Sequence, residues 1–99
     1  MLGRLFAVIR TRTAAWDDSQ PLDGQKDWRA HADFMNALHA EGFVLLGGPL
    51  EGTRDVLLIV RAGDPEQIRA RLAHDPWHRA LLEVTRIELW QLRLGALAR

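Results

Sequence analysis

The sequence predicts an α+β domain whose elements run strand, helix, strand, strand, helix, strand. Three observations carry this: short apolar runs bounded by charges or turn formers, two amphipathic segments with a helical repeat, and a final segment that alternates apolar and polar residues. The chain has 99 residues, which fits one domain spanning 1–99, with no internal repeat, low-complexity tract or linker.

Residues 4–10 (Arg-Leu-Phe-Ala-Val-Ile-Arg) read as a first strand with charged ends. Residues 17–24 (Asp-Asp-Ser-Gln-Pro-Leu-Asp-Gly) collect turn formers and read as a loop. Over residues 27–41 the period changes: His31, Phe34, Met35 and Leu38 share one helical face. Asp27 is placed to cap that helix, and Gly42 sits where its end tolerates positive φ. Residues 43–46 (Phe-Val-Leu-Leu) read as a second strand stopped by Gly47-Gly48-Pro49. A turn at Glu51-Gly52-Thr53 leads into a third strand over 55–61. Asp64, Pro65 and Gln67 then form a helix start of the capping-box type, with Ile68 and Leu72 as its apolar stripe. Asp75-Pro76 ends it, because proline disfavours a helical residue before it. Residues 77–83 make a further short turn, and 84–94 read as the fourth strand. This order is the ferredoxin-like split βαβ pattern, an antiparallel sheet with both helices on one face.

An antiparallel sheet with one wet face alternates apolar and polar residues. Here the first three strands are apolar on both sides, and Trp90, Leu92 and Leu94 fall on the side that Arg86 and Glu88 occupy earlier. Two helices cover only one face, so the sequence calls for a second copy packed sheet to sheet, a homodimeric α+β barrel. The competing reading is that short strands look two-sided by chance.

Composition narrows the partners. Lys+Arg and Asp+Glu both number 13, so the formal charge is zero, and no strongly basic nucleic-acid footprint is expected. Cysteine and tyrosine are absent, which removes thiolate metal sites, cysteine nucleophiles and a phenolic acid. No secretory leader and no membrane-length apolar stretch is visible, so a cytoplasmic protein without a membrane partner is expected.

Among the four histidines, His31 lies on the stripe that faces the sheet, either as a buried histidine bonded to a carbonyl or as a functional group. His39 falls off the stripe, on the solvent side. His74 and His78 have a ligand-like spacing, but Pro76 lies between them and spoils a helical metal site, so no metal is expected. Gly47-Gly48-Pro49 lacks the spacing of a phosphate loop, and Ser19 lacks the surroundings of a nucleophile. No cofactor motif is present. The tryptophans read as core or interface anchors.

The run His31-Ala-Asp-Phe34-Met, then Glu41-Gly42-Phe43, Gly48-Pro49 and Asp75-Pro76-Trp77, resembles the YCII-related family. The resemblance covers most of the chain and implies a small dimeric α+β barrel related to muconolactone isomerase. It implies an active-site pair of a first-helix histidine and an aspartate in an Asp-Pro-aromatic motif, here His31 and Asp75. A dehydrochlorinase of chloroaromatic breakdown is a rare assigned activity in that family. Three features depart from it: Phe34 stands where tyrosine is frequent, Trp77 replaces a smaller aromatic, and the loop over 14–26 is long enough to reshape the pocket mouth.

The expected function is therefore proton transfer on a small molecule, an isomerisation or an elimination of halide or water from a small cyclic or carbonyl compound. His31 would be the base, Asp75 its orienting partner, and Phe34, Trp77 and His78 would contact substrate. The alternative is a non-catalytic ligand-binding or sensory dimer of the same fold. An RNA-binding module is disfavoured, since the third strand carries no stacking aromatic.

Overall fold

The strand β1 (Arg4–Arg12) lies inside a four-stranded sheet of order β2-β3-β1-β4, every neighbouring pair antiparallel. The computed structural model describes residues 3–96; the ends of the expected 1–99 domain lie outside the described residues. The other elements are α1 (Trp28–Ala40), β2 (Val44–Pro49), β3 (Asp55–Ala62), α2 (Pro65–Leu72) and β4 (Leu82–Leu89). Their order and the strand order are those of the ferredoxin-like α+β fold predicted from the sequence.

Alternation along β1 fixes what faces the helices. Phe6, Val8 and Arg10 are buried, while Leu5, Ala7 and Ile9 between them are half-buried on the opposite face. Leu38 from α1 and Ile68 and Leu72 from α2 close over Phe6, Val8, Val44, Leu58 and Val60 to form the main core. Full burial of Ile68 and Leu72 stabilises the fold by about 1.5–3 kcal/mol each. A second cluster, Trp16, Trp77, Leu81 and Leu82, joins the loop after β1 to the turn after α2.

The structure corrects three local expectations. Gly47-Gly48-Pro49 does not stop the second strand but belongs to β2, pairing with Leu58, Leu57 and Val56. An edge strand tolerates this, because one side of its backbone has no ladder to complete. Asp27 precedes α1 in a left-handed conformation (φ 60°) and makes no side-chain cap. The fourth strand ends at Leu89 and does not extend to residue 94. Its neighbour β1 runs out there: Trp90 N donates to the Leu5 carbonyl, and β1 starts one residue earlier. Trp90 and Leu94 are exposed, and the change of face at Trp90, Leu92 and Leu94 is not a property of a strand.

The start of α2 follows its sequence. The Asp64 carboxylate accepts from Gln67 N at 2.8 Å, and Gln67 Oε1 reaches back to accept from Gly63 N at 2.7 Å. Asp64→Ala removes the cap and should lower the unfolding free energy by about 1 kcal/mol, read from urea denaturation.

Candidate active site

Asp75 owes its position to a turn written into the local sequence. Its amide donates to the Leu72 carbonyl at the end of α2, and its own carbonyl accepts from His78 N at 2.9 Å. Pro76, at the second position of that turn, suits the fixed φ it requires. The Asp75 side chain folds back so that Oδ1 accepts from Trp77 N at 2.9 Å. The carboxylate thus points inward, and its side chain has no solvent exposure.

Two further groups converge on it. His31, in the first turns of α1, brings Nδ1 to 2.9 Å from both carboxylate oxygens. Arg10, on the helix-facing side of β1, donates from Nη1 to Oδ2 at 2.7 Å. Arg10 is 1% exposed, so a complete ion pair is buried between the sheet and the helices. The Trp77 indole stacks on His31, ring centroids 3.8 Å apart and planes 9° from parallel. Trp28 and Trp16 lie against Trp77 at 5.9 and 5.3 Å between centroids.

Burial is the largest influence on Asp75 and opposes its ionisation. The hydrogen bonds from His31 and the Trp77 amide, with the charge and hydrogen bond of Arg10, outweigh it and hold the carboxyl below the ordinary carboxylate range. An ionised carboxylate only accepts, so Nδ1 of His31 carries the proton in the contact. In the neutral imidazole the lone pair is then on Nε2. That atom has no hydrogen-bond partner among the described residues, and it is not among the side-chain atoms shut away from solvent.

The His31 ring lines a cavity of about 560 Å³ between α1 and the sheet, within the range of small-molecule pockets. Trp16, Trp28 and Trp77 wall one end, Met35 and His39 line it from α1, and Val44 to Pro49 form its edge. His39 is solvent-exposed as a residue, and its Nδ1 lies 2.9 Å from the Val44 carbonyl.

Among the residues singled out from sequence, His31, Asp75 and Trp77 meet at one point. Phe34 does not line the cavity: it packs on the main core, and Met35, four residues from His31 and on the same side, takes the wall position. His78 also lies outside the cavity lining; its backbone completes the turn after Asp75, and its Nδ1 is buried without a partner. Sequence reading missed Arg10, which it took for the charged end of a strand. The signal was the period: β1 continues to Arg12, so Arg10 shares the inward register of Phe6 and Val8. Among the described residues, no group of three or more histidine, aspartate or glutamate side chains clusters as metal ligands, and no helix is long and apolar enough to cross a membrane.

No family model matches the chain, and no curated protein matches it by sequence. A solved structure does: the 5-chloro-2-hydroxyhydroquinone dehydrochlorinase of Burkholderia phenoliruptrix AC1100, in complex with 2,5-dihydroxybenzoquinone, is similar with a TM-score of 0.66 and 22% identity, over 88% of this chain and 93% of that one. The likeness is one of fold.

Asp75 ionises more readily in the folded chain than in the unfolded one. It therefore contributes stability that is fully present above the ordinary carboxylate range and is lost as the pH falls through the lowered folded value. Asp75→Asn should remove that acid dependence. It should also cost about 3–5 kcal/mol at neutral pH, because Arg10 is left charged and buried. Urea unfolding across an acid-to-neutral pH series measures both.

Proposed function

We propose that the cavity is the active site of a small-molecule enzyme in which His31 acts as general base. The observation that carries this reading is the buried contact of His31 Nδ1 with Asp75, at 2.9 Å, which leaves Nε2 free for a ligand. The carboxylate fixes the tautomer and supports the imidazolium that forms when Nε2 takes a proton. In the elimination we propose, Nε2 removes a proton from an O–H or C–H of the substrate. The electron pair left behind becomes a new π bond, and halide departs with the electrons of the bond it breaks; in a dehydration hydroxide departs with that pair and takes the proton back from the imidazolium to leave as water. In an isomerisation the same imidazolium returns the proton to another atom. The apolar, indole-walled cavity suits a small cyclic or carbonyl compound, and the dehydrochlorinase activity named for the structural neighbour is an elimination of this kind.

The test is a panel of small cyclic hydroxy and carbonyl compounds that includes 5-chloro-2-hydroxyhydroquinone, followed by thermal shift, substrate loss and chloride release. A compound at one hundred times its Kd stabilises the protein by about 2.7 kcal/mol. At least one compound should both bind and turn over, and His31→Gln should cut turnover by roughly 10²–10⁴-fold while binding persists. Binding without turnover in the wild type would make the pocket that of a ligand-binding or sensory protein.

We also propose that the protein works as a homodimer joined through the sheet face away from the helices. Leu5, Ala7 and Ile9 of β1 share that face with Leu57 and Ile59 of β3 and with Leu46 of β2, and among the described residues no helix or strand lies over it. Sedimentation equilibrium should give twice 11.2 kDa. Leu46 is 55% exposed in the single chain, so Leu46→Asp should dissociate the dimer without unfolding the protomer. A wild-type monomer at micromolar concentration would overturn the proposal.

A further inference from the structure

We propose that Arg10 is a positioning residue that acts through Asp75, holding the carboxylate in the charge state and orientation in which it accepts from His31 Nδ1 and leaves Nε2 as the proton acceptor. The inference rests on the proposed role of His31 for its catalytic meaning, but its physical content stands apart from any turnover.

The geometry argues against a merely stabilising ion pair. Arg10 meets Asp75 through Nη1 alone, at 2.7 Å. Among the described residues its Nε and Nη2 are buried with no hydrogen-bond partner, and Nη1 has one further acceptor, the weak Met35 Sδ at 4.0 Å. A guanidinium has five donors, and leaving buried ones unmatched costs free energy. Replacing such a pair by apolar side chains is frequently neutral or favourable to stability. Stability therefore gives no reason for an arginine here, whereas the state of Asp75 does.

Consider the same carboxyl without that cation. Its remaining partners would be the Trp77 amide and the His31 ring, set against complete burial of the side chain. A protonated Asp75 would become a donor toward His31 Nδ1, and the ring proton would move to Nε2. The atom facing the cavity would then donate rather than accept. Arg10 stays charged at every accessible pH, so it holds off this exchange. Among the described residues no other side chain bonds to the carboxylate: the neighbouring His74 is exposed, and the His78 ring makes no bond to it.

The experiment follows the Asp75 carboxyl carbon by NMR as a function of pH in the wild type, Arg10→Met and Arg10→Lys, with the signal assigned from Asp75→Asn. Arg10→Met keeps length without charge and should raise the Asp75 midpoint by about 1–3 pH units, the usual effect of one adjacent opposite charge. Arg10→Lys restores a cation and should bring the midpoint most of the way back. An unchanged midpoint in Arg10→Met would overturn the proposal, as would a lysine variant that behaves like the methionine one. If Arg10→Met does not fold, the double variant Arg10→Met/Asp75→Asn decides. Recovery of the fold would place the defect in the unpaired carboxylate and support the proposal; failure to recover would reduce Arg10 to packing. None of these readings needs a substrate, so a protein without turnover would leave the inference standing.

Discussion

The structure turns on one buried carboxylate. Asp75 lies where the turn after α2, the first turns of α1 and the C-terminal part of β1 come together, and it binds a group from each: the Trp77 amide, His31 and Arg10. Desolvating a carboxylate and a guanidinium together is expensive, and the cost is recovered only while every one of those contacts holds. The main core of Phe6, Val8, Leu38, Ile68 and Leu72 supplies the rigidity. It fixes the strand and both helices closely enough that three donors reach two oxygens at 2.7–2.9 Å.

That constraint explains why the cavity lies at one end of the helix layer. Along β1 the inward positions pass from apolar Phe6 and Val8 to charged Arg10, and the main core stops where the charge begins. A bulge in β4 at the same level, where the register shifts between Ile9 and Arg10, bends the sheet beside Arg10. The opposite edge strand, β2, carries a bulge between Val44 and Leu46, and its Gly47 pairs with Leu58 on the helix side. A methyl group there would stand 2.7 Å from a Leu58 methyl. The space between α1 and β2 is thus bordered by a backbone irregularity and by a glycine that makes room for Leu58, beside a buried charged cluster.

Much of this was legible in one dimension, and the limits have physical causes. The Asp64, Pro65 and Gln67 start of α2 was readable because its interactions are local. His31 was readable because a polar residue on an apolar helical stripe has to point inward. Asp75-Pro76 was readable as a helix-ending turn, and the inward carboxylate was not, since its partners His31 and Arg10 lie 44 and 65 positions away. Arg10 was obscured because its partner is 65 positions away, and a charge at the edge of an apolar run looks like a strand end until the strand is known to continue. Phe34 and Met35 belong to the same stripe and both pack on the main core, and only the packing of α1 decides that the second also lines the cavity. The glycines and proline of β2 read as a stop because propensity does not know which strand is an edge. The end of β4 depends on where β1 begins, a fact of pairing and not of the residues at 90–94.

The tryptophan at 77 and the loop over 14–26 form one feature. The Trp77 indole Nε1 donates to the Lys26 carbonyl at 2.6 Å, a bond that a phenyl ring has no donor to make. The loop is braced from within by buried Gln25, whose amide donates to the Asp17 carbonyl at 2.7 Å and whose oxygen accepts from Asp17 N at 3.0 Å. This brace holds Trp16 edge-on against Trp77, and Arg12 covers the Trp16 face at 4.3 Å. Trp77 therefore touches the candidate site three times: its amide binds Asp75, its ring stacks on His31, and its Nε1 anchors the loop that walls the cavity. A loop of this length needs an anchor inside the protein, and the Trp77 indole supplies one without leaving the imidazole. The wall of the pocket and the orientation of the His31 imidazole are consequently fixed by the same side chain, so the shape of the cavity and the direction of its histidine are set together.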